Sequence, residues 1–498
     1  MCTCEETNGP SNERRSAGGR GETTEASSPS QTAELVHSGA RSVVEFSLEA
    51  RPGDWELSPG HRLQALTYNG TVPGPTIRAN VGDNLVVHFK NSLTEPTTIH
   101  WHGLRISPEM DGAPASQRPV APGETFEYRF TVRDAGTFWY HPHVNESHQM
   151  EHGLYGAIVV AGSNEPKVDA DHVLQLDDVR LDDADQIAES SVRDIRPGRH
   201  GNRLVVNGKT DLEIAARAGE VQRWRLINVA NARYFRVGLE SGQLQVIASD
   251  GGFAEAPRIV EDLLLAPGDR YEVLVTGMGT PGTTTRLLSL PVQRSRGGHG
   301  PGGRRTGMGG HHARGRHGMA SAEETSARLL TVRLSEASPL RQRDVVVPFR
   351  SLPPLNTDGI TPTIVRLGDR GCCGRARFTI NGASHPNVPA LHARVGETQV
   401  WHIINDTHGP HPFHLHGYFF QVLGGNAEQP VRAWEDNVHV PAGGQVQIAF
   451  RPEGRPGRWL YHCHILEHGE HGMAAELLVT EEIGGPDAKA PAQEKPHE

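Results

Sequence analysis

One sequence pattern occurs three times in this chain and constrains its architecture more than any other feature. The copies start at Tyr68 (YNGTVPGPTIRANVGDNLVVHFKN), Val206 (VNGKTDLEIAARAGEVQRWRLIN) and Ile380 (INGASHPNVPALHARVGETQVWHIIN). Each opens on Asn-Gly, passes through a short polar run to a Gly followed by Asp or Glu, and ends in an alternating stretch closed by Asn. The Gly-acid pair is a turn signal, and the alternating stretch reads as a half-buried strand. A unit repeated at this spacing marks repeated domains. The 498 residues have room for roughly three domains. The expected fold is therefore all-β, with three related β-sandwich domains. The expected limits are 41–163, 164–337 and 338–483, with residues 1–40 and 484–498 as polar, disordered tails.

The segment after each copy separates the domains by role. HWHG comes after the first and HPFHLHG after the third, whereas NARYFRVGLE, without His, comes after the second. The second domain thus reads as a spacer. Two further motifs carry the same residue types: HPH at 141–143 and HCHILEHGEHGM at 462–473. Successive side chains of a strand point to opposite faces. His462 and His464 therefore face one way and Cys463 the other, so one strand can serve two metal sites. The same parity pairs His100 with His102, His141 with His143, and His414 with His416, and leaves His411 on another face. Sorting by parity gives His411, Cys463, His468 and Met473 for one site and eight His for a second. A thiolate, imidazoles and a weak thioether are the ligands of a blue-copper site. Structural zinc prefers closed tetrahedral Cys/His sets, which these spacings fit poorly.

With all four motifs present and in order, the chain resembles the three-domain, bacterial laccase-like multicopper oxidases from about Val43 to Val479. The resemblance implies three cupredoxin-like Greek-key β-sandwich domains and four copper ions. It implies that His100 and His414 hold a type 2 copper. It gives His102, His141 and His464 to one type 3 copper, and His143, His416 and His462 to the other. The trinuclear cluster would then lie between the first and third domains. The implied activity is one-electron oxidation of a small aromatic reductant at the type 1 copper, coupled to reduction of O2 to water at the cluster. Asp111, in HGLRISPEMDG, matches an acid that the family uses as a proton relay near the type 2 copper. A second relay acid is expected directly after the type 1 His, where this chain has Gly469; Glu470 is one residue on, and Glu467 precedes the His. Asp436, in WEDNVHVPAGG, is expected either at the substrate-facing edge, bonded to a type 1 ligand, or in a strand-initiating turn. An axial Met473 predicts a modest type 1 potential and electron-rich donors.

Two other activities stay open: oxidation of Cu(I), Fe(II) or Mn(II), and copper binding without turnover. The metal-oxidase reading draws on the His/Gly/Arg-rich stretch 293–319, which otherwise reads as a loop insertion. The formal charge of −10, with no basic block in the folded part, argues against nucleic acid. No apolar run reaches the ~18 residues of a membrane span. The first residues, MCTCEETNGPSNERRSAGG, lack the apolar stretch of a secretory signal. Family members of this kind are usually exported, so export is the expectation and a cytoplasmic location the alternative. Cys2, Cys4, Cys372 and Cys373 form no disulfide framework, and the vicinal pair reads as two loop thiols.

Overall fold

The computed structural model describes residues 34–38, 41–292, 325–341, 344–371 and 377–481. Residues 293–319, the C-terminal tail and the four cysteines other than Cys463 lie outside them. The described strands form three pairs of sheets. The first sandwich has a five-stranded sheet around Arg41–Ser58 and Asn84–Asn91, and a four-stranded sheet of Gly74–Asn80, Gly156–Ala161, Gly136–His141 and His100–His102. The second has six strands centred on Gln222–Asn228 and Arg270–Thr276, facing five centred on Thr284–Leu290. The third has five strands centred on Gln399–Asn405, facing five that include His411–Leu415 and Gly457–Cys463. Each pair of sheets encloses its own apolar core, built around Trp101, Trp224 and Trp401 respectively. No helix among the described residues is long and apolar enough to cross a membrane.

The repeat is visible atom by atom. Asn69, Asn207 and Asn381 adopt left-handed backbone (φ 54°, 50° and 51°), each followed by a Gly at positive φ. Such a pair makes the turn whose twist matches flanking strands. The three Asn side chains then accept the backbone N–H of Glu49, Gln175 and Arg366, at 2.7, 2.8 and 2.8 Å. The closing Asn residues are equivalent too. Asn91, Asn228 and Asn405 are buried, and each accepts the N–H two residues on, from Leu93, Ala230 and Thr407. Their side-chain N–H groups bond to carbonyls of neighbouring loops, such as Val120, Leu265 and Val440. A buried amide with all its bonds made fixes where the next segment starts, and in the first and third sandwiches that segment carries His.

One sequence expectation needs correction. Composition predicts disorder throughout residues 1–40, but Glu34–Ser38 forms an edge strand antiparallel to Arg41–Ser58, with Ser38 opposite Arg41. Composition averaged over the tail hides this five-residue run, whose backbone bonds are satisfied by the adjacent strand.

Candidate metal centres

Two strand pairings assemble the histidines. In the first sandwich His100 lies opposite His141 and His102 opposite Trp139. In the third, His414 lies opposite His462 and Phe413 opposite Cys463. The two His-bearing faces meet. His100 stacks on His416 with centroids 4.0 Å apart, and His102 on His414 at 3.9 Å. His143 lies 5.1 Å from both His416 and His462. His464 lies 5.0 Å from His102 and 5.6 Å from His141. Seven of these eight rings are buried, and His143 is nearly so. Gly417 ends HLHG in left-handed backbone, and a Cβ there would overlap the Trp459 ring, so this approach requires glycine.

On the other face of Gly457–Cys463 lies a second group. His411 Nδ1 is 3.3 Å and His468 Nδ1 3.7 Å from Cys463 Sγ, and the two nitrogens are 3.1 Å apart. Met473 is buried in the same core; its carbonyl accepts the Cys463 N–H and its own N–H donates to the His468 carbonyl. The far ring nitrogens are both engaged. His411 Nε2–H donates to Thr407 Oγ1 at 2.8 Å, and the Thr407 hydroxyl donates to Asn405, which closes the third repeat. His468 Nε2–H donates to the backbone carbonyl of Arg196 at 3.1 Å, from the second sandwich.

Electrostatics favour ligand forms. Burial disfavours imidazolium and lowers the ring pKa at His102, His141, His411, His414, His416, His462 and His464, at His143 to about 4 and at His468 to about 3. Burial acts likewise on His100, but Asp111 outweighs it and the net shift is upward. Burial also raises the Cys463 thiol, so a thiolate there requires an adjacent cation. Asp111 spans the domain boundary. Its Oδ2 accepts from His416 Nδ1 at 2.8 Å, and its carbonyl from His100 Nδ1 at 2.8 Å. Burial pushes its carboxyl up, but His416 and His100 outweigh that and hold it well below the usual carboxylate range.

The residues fit copper, on an internal criterion. His100, His141, His143 and His414 leave Nε2 buried without a partner, His102 leaves Nδ1, and His464 leaves both nitrogens. His416 Nε2 and His462 Nε2 face each other at 3.1 Å. An unsatisfied buried polar atom costs about 1–3 kcal/mol. A cation accepting these lone pairs removes that cost. His143, His416 and His462 converge as one possible metal group, and His411, Cys463 and His468 as another. Stripping copper with a chelator is therefore expected to destabilise the protein by several kcal/mol. At roughly 2–4 °C per kcal/mol, the calorimetric Tm should fall by ~10 °C or more and recover on reloading.

The structure thus brings together all eight predicted cluster histidines, with His411, Cys463 and His468 forming a separate group. It also places three acids whose roles sequence reading left open; Asp436 directly precedes the strand Asn437–Val440. Asp436 touches neither His411 nor His468: its Oδ1 accepts from His102 Nε2 at 3.1 Å and its carbonyl from His414 Nδ1 at 2.9 Å. Glu470 binds the Ser147 N–H at 3.0 Å and its hydroxyl at 2.6 Å, across the domain boundary. Glu467 binds the Arg199 N–H and Asn231. Buried Glu146, which sequence reading did not single out, lies 3.0 Å from His141 Nδ1 and 3.8 Å from His143 Nδ1. Its only signal was its place three residues after His143. His148, His152 and His471 are half-buried at the two short helices Glu146–Glu151 and Leu466–Glu470.

Family models described as multicopper oxidase match residues 49–165, 171–284 and 361–482. Multicopper oxidase MmcO of Mycobacterium tuberculosis is 30% identical over 89% of this chain and 88% of its own. Laccase-2 of Botryotinia fuckeliana is 28% identical over 85% and 80%. Among solved structures, a multicopper oxidase from Pseudomonas thermotolerans superposes with TM-score 0.74 at 28% identity, over 89% of this chain and 100% of that one. A Campylobacter jejuni multicopper oxidase, described as a metallo-oxidase, gives 0.73 at 28% identity, over 88% and 92%. With the family's four-copper donor set compatible with the buried groups here, the chain belongs to the multicopper oxidases.

Proposed function

We propose that this protein is a laccase-like oxidase of electron-rich phenols and aromatic amines, with O2 as acceptor. One observation carries the reading: Cys463 ends the strand Gly457–Cys463 between His462 and His464, its Sγ in the His411/His468 group and its neighbours in the eight-His group. In this reading His411, Cys463, His468 and Met473 hold the type 1 copper. His100 and His414 hold type 2; His102, His141 and His464 hold one type 3 ion; His143, His416 and His462 hold the other. Bound copper supplies one-electron redox chemistry, so that four electrons taken singly from donors, with four protons, convert one O2 into two waters. The chain's part is placement. Cys463 links the sites by a few covalent bonds, burial excludes water and disfavours imidazolium, and Asp111 holds the His100 and His416 rings across the domain boundary. Relatives named laccase support the aromatic donor class. The direct test is O2 uptake by the copper-loaded protein with 2,6-dimethoxyphenol; no uptake would sink the reading.

A second reading, oxidation of metal ions, is favoured by the cover on His468. Arg196 presents its carbonyl to the His468 ring edge, and its guanidinium is tied to Asp369 at 2.5 Å and to the Gly371 carbonyl at 2.7 Å. Ile195 packs into the third-domain core beside it. A bulky aromatic ring cannot touch His468 unless this segment yields, whereas a small ion needs less room. Asp369→Asn removes one half-exposed ion pair, a contact worth up to ~1 kcal/mol. It is expected to raise kcat/KM for 2,6-dimethoxyphenol by up to about fivefold, with Fe(II) turnover and the visible absorption unchanged. An equal rise for both donors would show that the cover does not select.

A further inference from the structure

Arg270 opens the strand Arg270–Thr276 of the second sandwich, which supplies none of the proposed ligands. Its side chain is buried and reaches into the third. Nη1 donates to Asp436 Oδ1 at 2.6 Å and Nη2 to Oδ2 at 2.5 Å, a two-pronged grip on one carboxylate. The remaining donors go to the carbonyls of Asp250, Gly268 and Thr137, the last in the first sandwich, so one guanidinium touches all three domains. Asp250 adds a second carboxylate, 3.2 Å from Nη1. Gly103, the residue after His102, has φ +87°; a Cβ there would overlap Arg270 Nη2 and lie 2.9 Å from Asp436 Oδ2. The glycine of HWHG leaves room for this grip.

The oxygen that Arg270 holds at 2.6 Å is the one that accepts from His102 Nε2. His102 thereby differs from His100, His141, His143 and His414. Those rings leave Nε2 unpartnered and His102 leaves Nδ1. Stacking on His414 fixes the plane of the ring, and the acceptor at Nε2 fixes which nitrogen turns inward. We propose that Arg270 is a positioning residue for the trinuclear centre: through Asp436 it fixes His102 with Nδ1 turned inward, so the domain without ligands sets the geometry of a site shared by the other two. This rests on the reading that His102 is a copper ligand.

The test uses full-length, copper-loaded Arg270→Lys and Arg270→Gln, with Asp436→Asn as a second route to the same contact. Copper per chain, visible type 1 absorption and the type 2 electron-spin-resonance signal are read together. Type 1 absorption reports folding of the third domain in the same molecules. The expected result is unchanged type 1 absorption with cluster copper affinity reduced ~10–100-fold, the usual cost of removing a ligand's hydrogen-bond partner. Arg270→Lys should fall between wild type and Arg270→Gln, because an ammonium cannot grip both oxygens. Four coppers and a wild-type type 2 signal in Arg270→Gln would overturn the proposal. So would loss of type 1 absorption in all three variants, which would make the contact one of domain assembly. A wild-type protein that never fills its cluster would instead overturn the underlying ligand reading, and that outcome is distinguishable because it needs no variant.

Discussion

Replacing Cys463 by serine is expected to abolish the visible type 1 absorption and to cut turnover by about 10^4-fold or more, the scale on which removing one member of an interdependent set acts. Serine keeps the shape, but its hydroxyl is a hard donor that does not ionise in this buried site, so the soft thiolate ligand is lost. The eight-His group has no contact with Sγ, so its copper should remain. Copper content measured by mass spectrometry should drop from four ions to three, and the fold should survive, because burying one extra hydroxyl costs only about 1–3 kcal/mol. Loss of all copper would mean that the two groups do not load independently, and retained turnover would remove Cys463 from the electron path.

The second large effect is expected at Asp111. Its carboxylate and carbonyl hold His416 and His100, one ring from each side of the domain boundary. Asp111→Ala leaves His416 Nδ1–H buried without an acceptor, and O2 turnover should fall about 10–100-fold. Reduction of the type 1 centre by donor under nitrogen should be unchanged, since Asp111 bonds to neither His411 nor His468. Asp111→Asn keeps an oxygen acceptor for His416 and should restore copper loading. If it restores loading but not turnover, the carboxylate does more than hold the rings. If Asp111→Ala reoxidises as fast as wild type, neither role stands.

How much of this was legible in the sequence depended on range. The repeat fixed three sandwiches because its Asn-Gly turns and closing Asn residues act locally, through the same hydrogen bonds in each copy. The donor set was legible because alternation is a two-residue rule that holds at a strand end; His462 and Cys463 close the strand Gly457–Cys463 and His464 follows it directly. Contacts made across domains were not legible. Asp436 of the third domain serves His102 of the first rather than His411 or His468. Arg196 covers His468 from a domain read as a spacer. Each depends on how distant segments pack, and no residue pattern within one segment encodes that. Which nitrogen of His102 is free depends on a carboxylate more than 300 residues away, as the 334-residue separation of that pair makes plain.

The central claim is that Cys463 joins a one-electron site to a buried cluster able to take O2 to water. A single-turnover titration tests it most directly. Copper-loaded protein is fully reduced under nitrogen, and O2 is then added in measured steps while visible absorption and peroxide are followed. With four reduced copper ions per chain, the account predicts full return of the absorption at one O2 per chain, with no free peroxide. Reoxidation that consumes two O2 per chain and releases peroxide, or absorption that does not return in air, would contradict it.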